Sequence, residues 1–423
     1  MFGCWDNAHM AALPLGDPAP LDGTLPAAAV RSLAGRSFGV YVHVPFCATR
    51  CGYCDFNTYT PGELGDPLAG SSHQQSSSSS VSTWLDGVRR ELDLAARVLE
   101  EPVPADTVFV GGGTPSLLGA AGLAAVLNAV RDSLGVAAGA EVTTEANPES
   151  TSPEFFAGIA SAGYTRVSLG MQSAAPHVLA VLDRVHTPGR PVAAVAQARA
   201  AGIEHVSLDL IYGTPGESHD DLAASLDAVL ATGVDHVSAY ALVVEPGTAL
   251  ARRVAHGALP APDDDVLAGR YEQIDTALSA AGLHWYEISN WATSAESTCR
   301  HNLGYWTGGN WWGAGPGAHS HVGGVRWWNV KHPARYAAVL ASGSSPAAGR
   351  ELLSPQERYT EQVMLGLRLA DGLPLGSLNL ASRAAADRAI TNGLLTTTAR
   401  DRLVLTRRGR LLTDTVVRDL LTN

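Results

Sequence analysis

An α/β protein built on a partial (β/α)6 barrel of the TIM type, followed by a small C-terminal α+β, winged-helix-like domain, is the fold this sequence predicts. Three observations predict it. From Phe38 onward, short β-branched runs are followed by Gly or polar residues and then by Ala/Leu-rich helical stretches. The runs are apolar at nearly every position, as expected of parallel strands covered by helices. They recur about every 25–35 residues, which favours a barrel-like closure over two doubly wound halves.

Taken in order, the strands are expected at Phe38–Val44, Thr107–Val110, Glu141–Glu145, Arg166–Leu169, His205–Leu210 and His236–Leu242. Helices are expected between them at Thr83–Val98, Gly122–Ser133, Glu154–Ala162, Pro191–Ala201 and Leu222–Thr232. The acidic run Asp263–Asp265 after Pro260 and Pro262 reads as a helix start. Four regions follow. Residues 1–37, rich in Pro, Gly and Ala, are expected to be a disordered N-terminal segment. Residues 38–285 form the barrel, with 70–82, including the serine run Ser76–Ser80, as a flexible insert. Residues 286–350 are dense in tryptophan and are expected to form an aromatic cap. Residues 351–423 carry an amphipathic helix pattern (Glu357–Leu369), a short apolar alternation (Arg402–Thr406) and a last helix near Asp414–Leu421.

Length and composition exclude several classes of function. With 423 residues, 46% of them hydrophobic and 17% charged, the chain has material for two or three domains and a large core. The net charge is 29 − 41 = −12, so a general nucleic-acid coat is disfavoured. The basic tail residues Arg402, Arg407, Arg408, Arg410 and Arg418 alternate with Asp401, Asp414 and Asp419, and read as a solvated or interdomain face. Lys331 is the sole lysine, which argues against Schiff-base chemistry and a polylysine membrane anchor. No window reaches the roughly 18 apolar residues of a membrane span; the best, Ala120 to Val130, stops at Arg131 and Asp132. The N-terminal stretch has neither a charged n-region nor an apolar h-region. The protein is expected in the cytoplasm, with peripheral membrane contact left open.

Five cysteines in so long a chain do not make a disulfide framework. Cys47, Cys51 and Cys54 stand at C-x3-C-x2-C spacing directly after the first strand. Three thiolates from one loop suit a [4Fe–4S] cluster with one iron left open, whereas structural zinc wants four ligands. His43 could complete a zinc site, but it lies inside the strand, and a histidine packed in the sheet is the preferred reading. Cys299 could serve as a thiolate ligand but reads more readily as a buried small hydrophobe, and Cys4 as incidental.

Polar or glycine residues also stand at one edge of successive strands. Gly111-Gly112-Gly113-Thr114-Pro115 follows the second strand, Glu145 ends the third, and Gln172 ends the fourth with Arg184 beyond it. Asp209 belongs to the fifth. Chemistry gathers at the C-terminal face of such barrels, and a side-chain-free turn lets backbone approach a ligand.

C-x3-C-x2-C with an aromatic before the last cysteine resembles the radical S-adenosylmethionine (SAM) superfamily. The wider match, Tyr41-Val-His-Val-Pro-Phe-Cys47 and Cys54-Asp-Phe-Asn-Thr-Tyr59, resembles its HemW heme-chaperone family, which is related to the oxygen-independent coproporphyrinogen III oxidases; the similarity runs from about Phe38 to the C-terminus. This resemblance implies that Cys47, Cys51 and Cys54 hold the [4Fe–4S] cluster and that Tyr41, Gly112, Gly113, Thr114, Glu145, Gln172, Arg184 and Asp209 line the SAM site. The oxidase pattern adds a cysteine two residues after the third; Phe56 stands there in this chain, which lowers the oxidase reading.

The segment Cys299-Arg-His301-Asn302-Leu-Gly-Tyr305-Trp306 carries an H-N-x-x-Y-W motif that resembles the one associated with heme binding in that family. A histidine beside large rings suits heme. His301, Asn302, Tyr305 and Trp306 are therefore the candidate heme residues, His319 and His321 weaker ones; a packed cap over the barrel mouth explains the same segment without heme. The resemblance implies a protein that binds heme as cargo and delivers it to heme-requiring respiratory proteins, with an electron donor needed if the cluster turns over. The alternative is oxidative decarboxylation in porphyrin biosynthesis by a coproporphyrinogen III oxidase, and a distant third is a zinc-binding structural protein.

Overall fold

The computed structural model describes residues 16–64, 74–100 and 102–422. Helix α1 (Ala27–Arg31) precedes β1 (Phe38–Val44). Five helical crossovers then build the sheet: α2 (Gln74–Leu99) leads to β2 (Ala105–Gly112), α3 (Gly119–Ser133) to β3 (Val136–Ala146), α4 (Pro153–Ala162) to β4 (Arg166–Gln172), α5 (Pro176–Val181) and α6 (Arg190–Ala200) to β5 (His205–Tyr212), and α7 (His219–Ala231) to β6 (His236–Ala241). All neighbouring pairs from β1 to β6 are parallel. The six expected strands are all present, and β1 has the expected ends.

Side-chain parity explains how the strands can be apolar throughout and still enclose a polar interior. Val40, Val42, Val44, Val108, Val110, Val167, Leu169, Val206, Leu208, Val237 and Ala239 are buried in the main core with residues of α2, α3, α4, α6 and α7. The alternate positions, among them Tyr41, Thr107, Glu145, Arg166, Ser168, Asp209 and His236, face the other way and find polar partners there: Ser168 with Asp209, Tyr41 with His43, Thr107 with His301, Glu145 with the Gly112 N–H, Arg166 with Glu141, and His236 with Ser207 and Tyr286.

After β6 come α8 (Ala249–Ala255), α9 (Asp264–Ala280), β7 (His284–Glu287) and β8 (Asn290–Ala292). Asp263 caps α9, accepting from the Val266 N–H at 3.0 Å, as the acidic run predicts. Helix α10 (Arg300–Trp306) follows, then β9 (Asn310–Ala314), β10 (His319–Val322), β11 (Val325–Asn329), α11 (Pro333–Ala341) and β12 (Ala347–Leu352). Much of the expected aromatic cap is sheet instead. β9 pairs in parallel with β1, and β10 to β12 continue the same sheet, so the order is β12-β11-β10-β9-β1-β2-β3-β4-β5-β6-β8-β7. Glycines make this close docking feasible: a Cβ on Gly313 would lie 2.2 Å from the His319 carbonyl oxygen, and one on Gly315 2.6 Å from that of His43.

Two further expectations are corrected. Residues 16–36 are ordered: Asp17 exchanges backbone bonds of 2.8 and 2.9 Å with Arg350, and Leu25, Ala29 and Leu33 are buried in the main core. Enough apolar surface is buried there to offset the ordering cost. The serine-rich insert is helical from Gln74, as the opening of α2; serine costs only a few tenths of a kcal/mol against alanine, and the packed turns that follow propagate backward. Cys4 and residues 70–73 lie outside the described residues.

The C-terminal unit has its own core. It contains α12 (Pro355–Gly366), β13 (Leu373–Pro374), α13 (Leu380–Thr391), β14 (Leu395–Thr397), β15 (Arg402–Leu405), α14 (Arg407–Leu411) and α15 (Thr413–Leu421), with an antiparallel sheet in the order β13-β15-β14. Its arginines clamp the barrel: the Arg410 guanidinium donates to Asp275 of α9 at 2.8 and 2.9 Å and lies over the Trp285 ring, and Arg407 is 3.1 Å from the same carboxylate. Among the described residues, no helix is long and apolar enough to cross a membrane.

Candidate cluster and cofactor site

The cysteine loop leaves the C-terminal end of β1 and is tied down along its length. The Cys47 N–H donates to the Tyr59 carbonyl (3.1 Å) and the Tyr59 N–H to that of Pro45 (2.7 Å). Arg50 donates to the Thr58 carbonyl and to Glu63. The Asn57 amide reaches the carbonyls of Pro316 (2.9 Å) and Lys331 (2.8 Å), which anchors the loop to the β9–β12 extension. Thr114 Oγ1 lies 3.6 Å from the Cys47 thiol and Arg184 Nη1 3.5 Å from that of Cys51.

The thiols are half-buried. Burial pushes Cys47 up, and pushes Cys54 up to about 11, with the neighbouring thiols adding to it. Such groups release their protons when a positive metal centre replaces them. Among the described residues, no three His, Cys, Asp or Glu side chains converge on one metal ion. His43 is not a free ligand: Nε2 lies 2.9 Å from the Asn57 carbonyl, which can only accept, so Nδ1 accepts from the Tyr41 hydroxyl at 3.0 Å. Burial also lowers its pKa, against the bond to the Asn57 carbonyl.

Behind this loop, the edge residues singled out by sequence come together. The glycine turn fits under the loop because it has no side chains: a Cβ on Gly112, where φ is +110°, would meet the His43 ring at 2.6 Å, and one on Gly113 the Phe46 carbonyl oxygen at 2.5 Å. Its amides are not left for a ligand. Gly112 N–H donates to Glu145 (3.0 Å), Gly113 N–H to the Val44 carbonyl (2.7 Å) and Thr114 N–H to that of Phe46 (2.8 Å).

Glu145 and Asp209 are both half-buried inside the barrel. Burial, reinforced by Asp209, pushes Glu145 up to about 8; burial pushes Asp209 up to about 6, against hydrogen bonds from Ser168, Ser238 and Ser207. Those serines were not singled out, yet the repeat Arg166-Val-Ser168, His205-Val-Ser207, His236-Val-Ser238 at matching places in three strands could have found them. Arg184 donates to the Gly170 carbonyl at 3.1 Å, and its buried Nε has no partner among the described residues. Gln172 sits at φ 66°, a left-handed conformation that costs a non-glycine residue about 1 kcal/mol or more. Gln172→Gly is therefore expected to raise unfolding stability by about 1 kcal/mol in a denaturant titration while weakening SAM binding.

These residues fit SAM. Two half-buried carboxylates favour a sulfonium and an ammonium, the orphaned Arg184 Nε a carboxylate, and three thiols an iron–sulfur cluster. When bound, cluster and SAM together supply one-electron cleavage of a carbon–sulfur bond to a deoxyadenosyl radical. The chain's own residues would hold the cluster at Cys47, Cys51 and Cys54, receive the cofactor between Glu145, Asp209 and Arg184, and screen the chamber from water. The raised carboxylates also make a pH prediction. Their folded-state pKa values exceed the ordinary ones, so the stability they contribute is complete below about pH 4, and is lost as pH rises to about 8. Glu145→Gln is expected to flatten the upper part of that slope, read as the unfolding midpoint between pH 5 and 8.

Residues 41–229 match the radical SAM superfamily and residues 353–412 the HemN C-terminal domain. Over 389 residues, covering 92% of this chain and 96% of that protein, the chain is 61% identical to a protein of Mycobacterium tuberculosis (strain ATCC 25618 / H37Rv) named heme chaperone HemW. The chain belongs to the HemW family of radical SAM proteins. A Synechocystis protein of the same name is 36% identical, over 81% of this chain and 82% of its own. The mitochondrial radical S-adenosyl methionine domain-containing protein 1 of Bos taurus is 34% identical, over 82% and 72%. Among solved structures, the coproporphyrinogen III oxidase HemN of Escherichia coli shares the fold, with a TM-score of 0.77 at 20% identity and coverage of 95% of this chain and 94% of that one.

In this HemW-family chain the H-N-x-x-Y-W motif lies at the barrel end opposite the thiols. Helix α10 closes the N-terminal ends of the strands: its first amides, Arg300 and His301 N–H, donate to Glu141 at 3.1 and 3.0 Å. Glu141 in turn accepts from Arg166 at 3.2 Å, and Arg166 holds the carbonyls of Ser297 and Thr298. His301 does not offer the free imidazole expected of a heme ligand. It is 3% exposed, stacked on Phe109, with Nδ1 2.8 Å from Thr107 Oγ1 and Nε2 2.8 Å from the Tyr305 hydroxyl. Trp306 hydrogen-bonds Glu287, and the Asn302 N–H the Cys299 thiol, so these four residues close the barrel. Cys299 is buried and pushed well up, as a small hydrophobe would be. His321 Nδ1 is bonded to the Gly309 carbonyl and the His319 ring stacks on Trp328. His301→Ala is expected to cost about 2–4 kcal/mol in a denaturant titration and to leave the iron content of reconstituted protein unchanged.

Proposed function

We propose that this chain is a cytoplasmic heme chaperone: it binds heme as cargo, carries a [4Fe–4S] cluster with SAM, and delivers heme to heme-requiring respiratory proteins. The observation that carries this reading is Phe56. It occupies the place where the related oxidases have a further cysteine beside the cluster loop, and it presents a half-exposed phenyl ring there. Without that thiol the chain lacks a residue tied to the oxidase chemistry, while the cluster and cofactor cradle are retained. The names of the relatives support the same reading.

On this account cluster and SAM act in stability, gating or transfer, and an electron donor is needed only if SAM is cleaved. The test is anaerobic reconstitution followed by heme titration. The expected result is one heme per chain, with a Soret band distinct from free heme, bound by cluster-loaded protein; absence of saturable heme binding overturns the reading.

A further inference from the structure

We propose that the open groove lined by Phe56, Tyr59, Lys331 and His332 holds the carboxylate edge of a planar tetrapyrrole, at a site separate from the Glu145–Asp209–Arg184 chamber. The inference rests on the proposed function, and deepens it by placing the cargo.

The groove encloses about 360 Å³ between the stretch that follows Cys54 and the turn before α11. That is at the small end of ligand pockets, which run from about 300 to 1,000 Å³. It accommodates the edge of a large ligand and leaves the remainder outside. Two cations, Arg50 and Lys331, and two carboxylates, Asp55 and Glu63, line it. In a chain of net charge −12, Lys331 forms no ion pair among the described residues, although Asp55 lines the same groove. Arg50 is already committed to Glu63 and the Thr58 carbonyl, which leaves Lys331 as the available charge.

His332 adds a donor of fixed direction. Its Nδ1 accepts from the Ala334 N–H at 3.2 Å, as the cap of α11, so Nε2 carries the proton even when the ring is neutral. The ring stands edge-on to Tyr59, with centroids 5.6 Å apart, which holds it in place. An ammonium and an imidazole N–H beside one another suit a carboxylate. Phe56, 44% exposed, supplies an aromatic surface next to them, and few soluble ligands combine carboxylates with a broad apolar plane. The Asn57 amide and the Tyr59 hydroxyl both bond to the Lys331 carbonyl, so the groove and the cysteine loop form one framework.

The experiment compares heme with its dimethyl ester, whose carboxylates are masked, on full-length cluster-loaded wild type, Lys331→Glu and Phe56→Ser. Both side chains are exposed, so folding is not at risk. Lys331→Glu is expected to weaken heme binding about tenfold and to leave ester binding unchanged, whereas Phe56→Ser weakens both. Raising ionic strength should bring wild type toward Lys331→Glu for heme only. Equal heme affinity of wild type and Lys331→Glu overturns the groove assignment alone. Loss of transfer to an acceptor with unchanged heme affinity also overturns it, and points to an acidic protein partner. Failure of wild type to bind heme at all overturns the proposed function, and the groove assignment with it.

Discussion

Cys51→Ala will leave a folded protein that cannot be loaded with an iron–sulfur cluster. Its thiol is one of the three carried by the loop after β1, and it is the one that receives the Arg184 guanidinium. Three ligands are the minimum that leaves one iron of a [4Fe–4S] cluster open, so two remaining thiolates do not hold it. The loop itself is held by backbone bonds and by Asn57 and Arg50, none of which involves the Cys51 side chain, so unfolding stability of the unloaded protein should change by less than about 1 kcal/mol. Iron and sulfide content, visible absorption and EPR after anaerobic reconstitution read the result. A normal cluster in Cys51→Ala would show that the ligand assignment is wrong, and stoichiometric zinc without iron would return the site to a structural metal.

The largest loss of stability is expected at the opposite end of the barrel, from Glu141→Gln. The Glu141 carboxylate is buried against Arg166 and also accepts the first two amides of α10. Glutamine preserves the shape and removes the charge, which leaves the Arg166 guanidinium buried and uncompensated. Breaking one partner of such a pair costs about 3–5 kcal/mol. Because α10 carries His301, the same change should loosen the Phe109–His301 stack and raise amide exchange across 299–306. A loss below about 1 kcal/mol in a denaturant titration would contradict this view of how the barrel is closed.

How far each feature could be read in the sequence follows from its range. Phe38–Val44 was legible to the residue because a β-branched run ends at Pro45, and the cysteine triad because its spacing is local. The gathering of Glu145, Gln172, Arg184 and Asp209 was legible because a parallel barrel brings all strand ends to one face. Three features were not. β9 joins β1 across most of the chain, and periodicity says nothing about which distant strand supplies an edge. The place of α10 depends on Glu141 accepting its first amides, a contact between residues with no local signal in common. The ordering of 16–36 depends on β12 pairing with Asp17 and on the distant core that receives Leu25, Ala29 and Leu33. His301 illustrates the consequence: its residue type and aromatic neighbours were readable, but not that both its ring nitrogens are spent inside the barrel.

The central claim is that this chain keeps the radical SAM framework for carrying heme. The most direct test supplies anaerobic, cluster-loaded protein with coproporphyrinogen III, SAM and a reductant, and in parallel with heme and an apo-form of a heme-requiring respiratory protein. The account predicts no conversion to protoporphyrinogen beyond one equivalent, and transfer of bound heme to the acceptor. Multiple turnovers to protoporphyrinogen would contradict it.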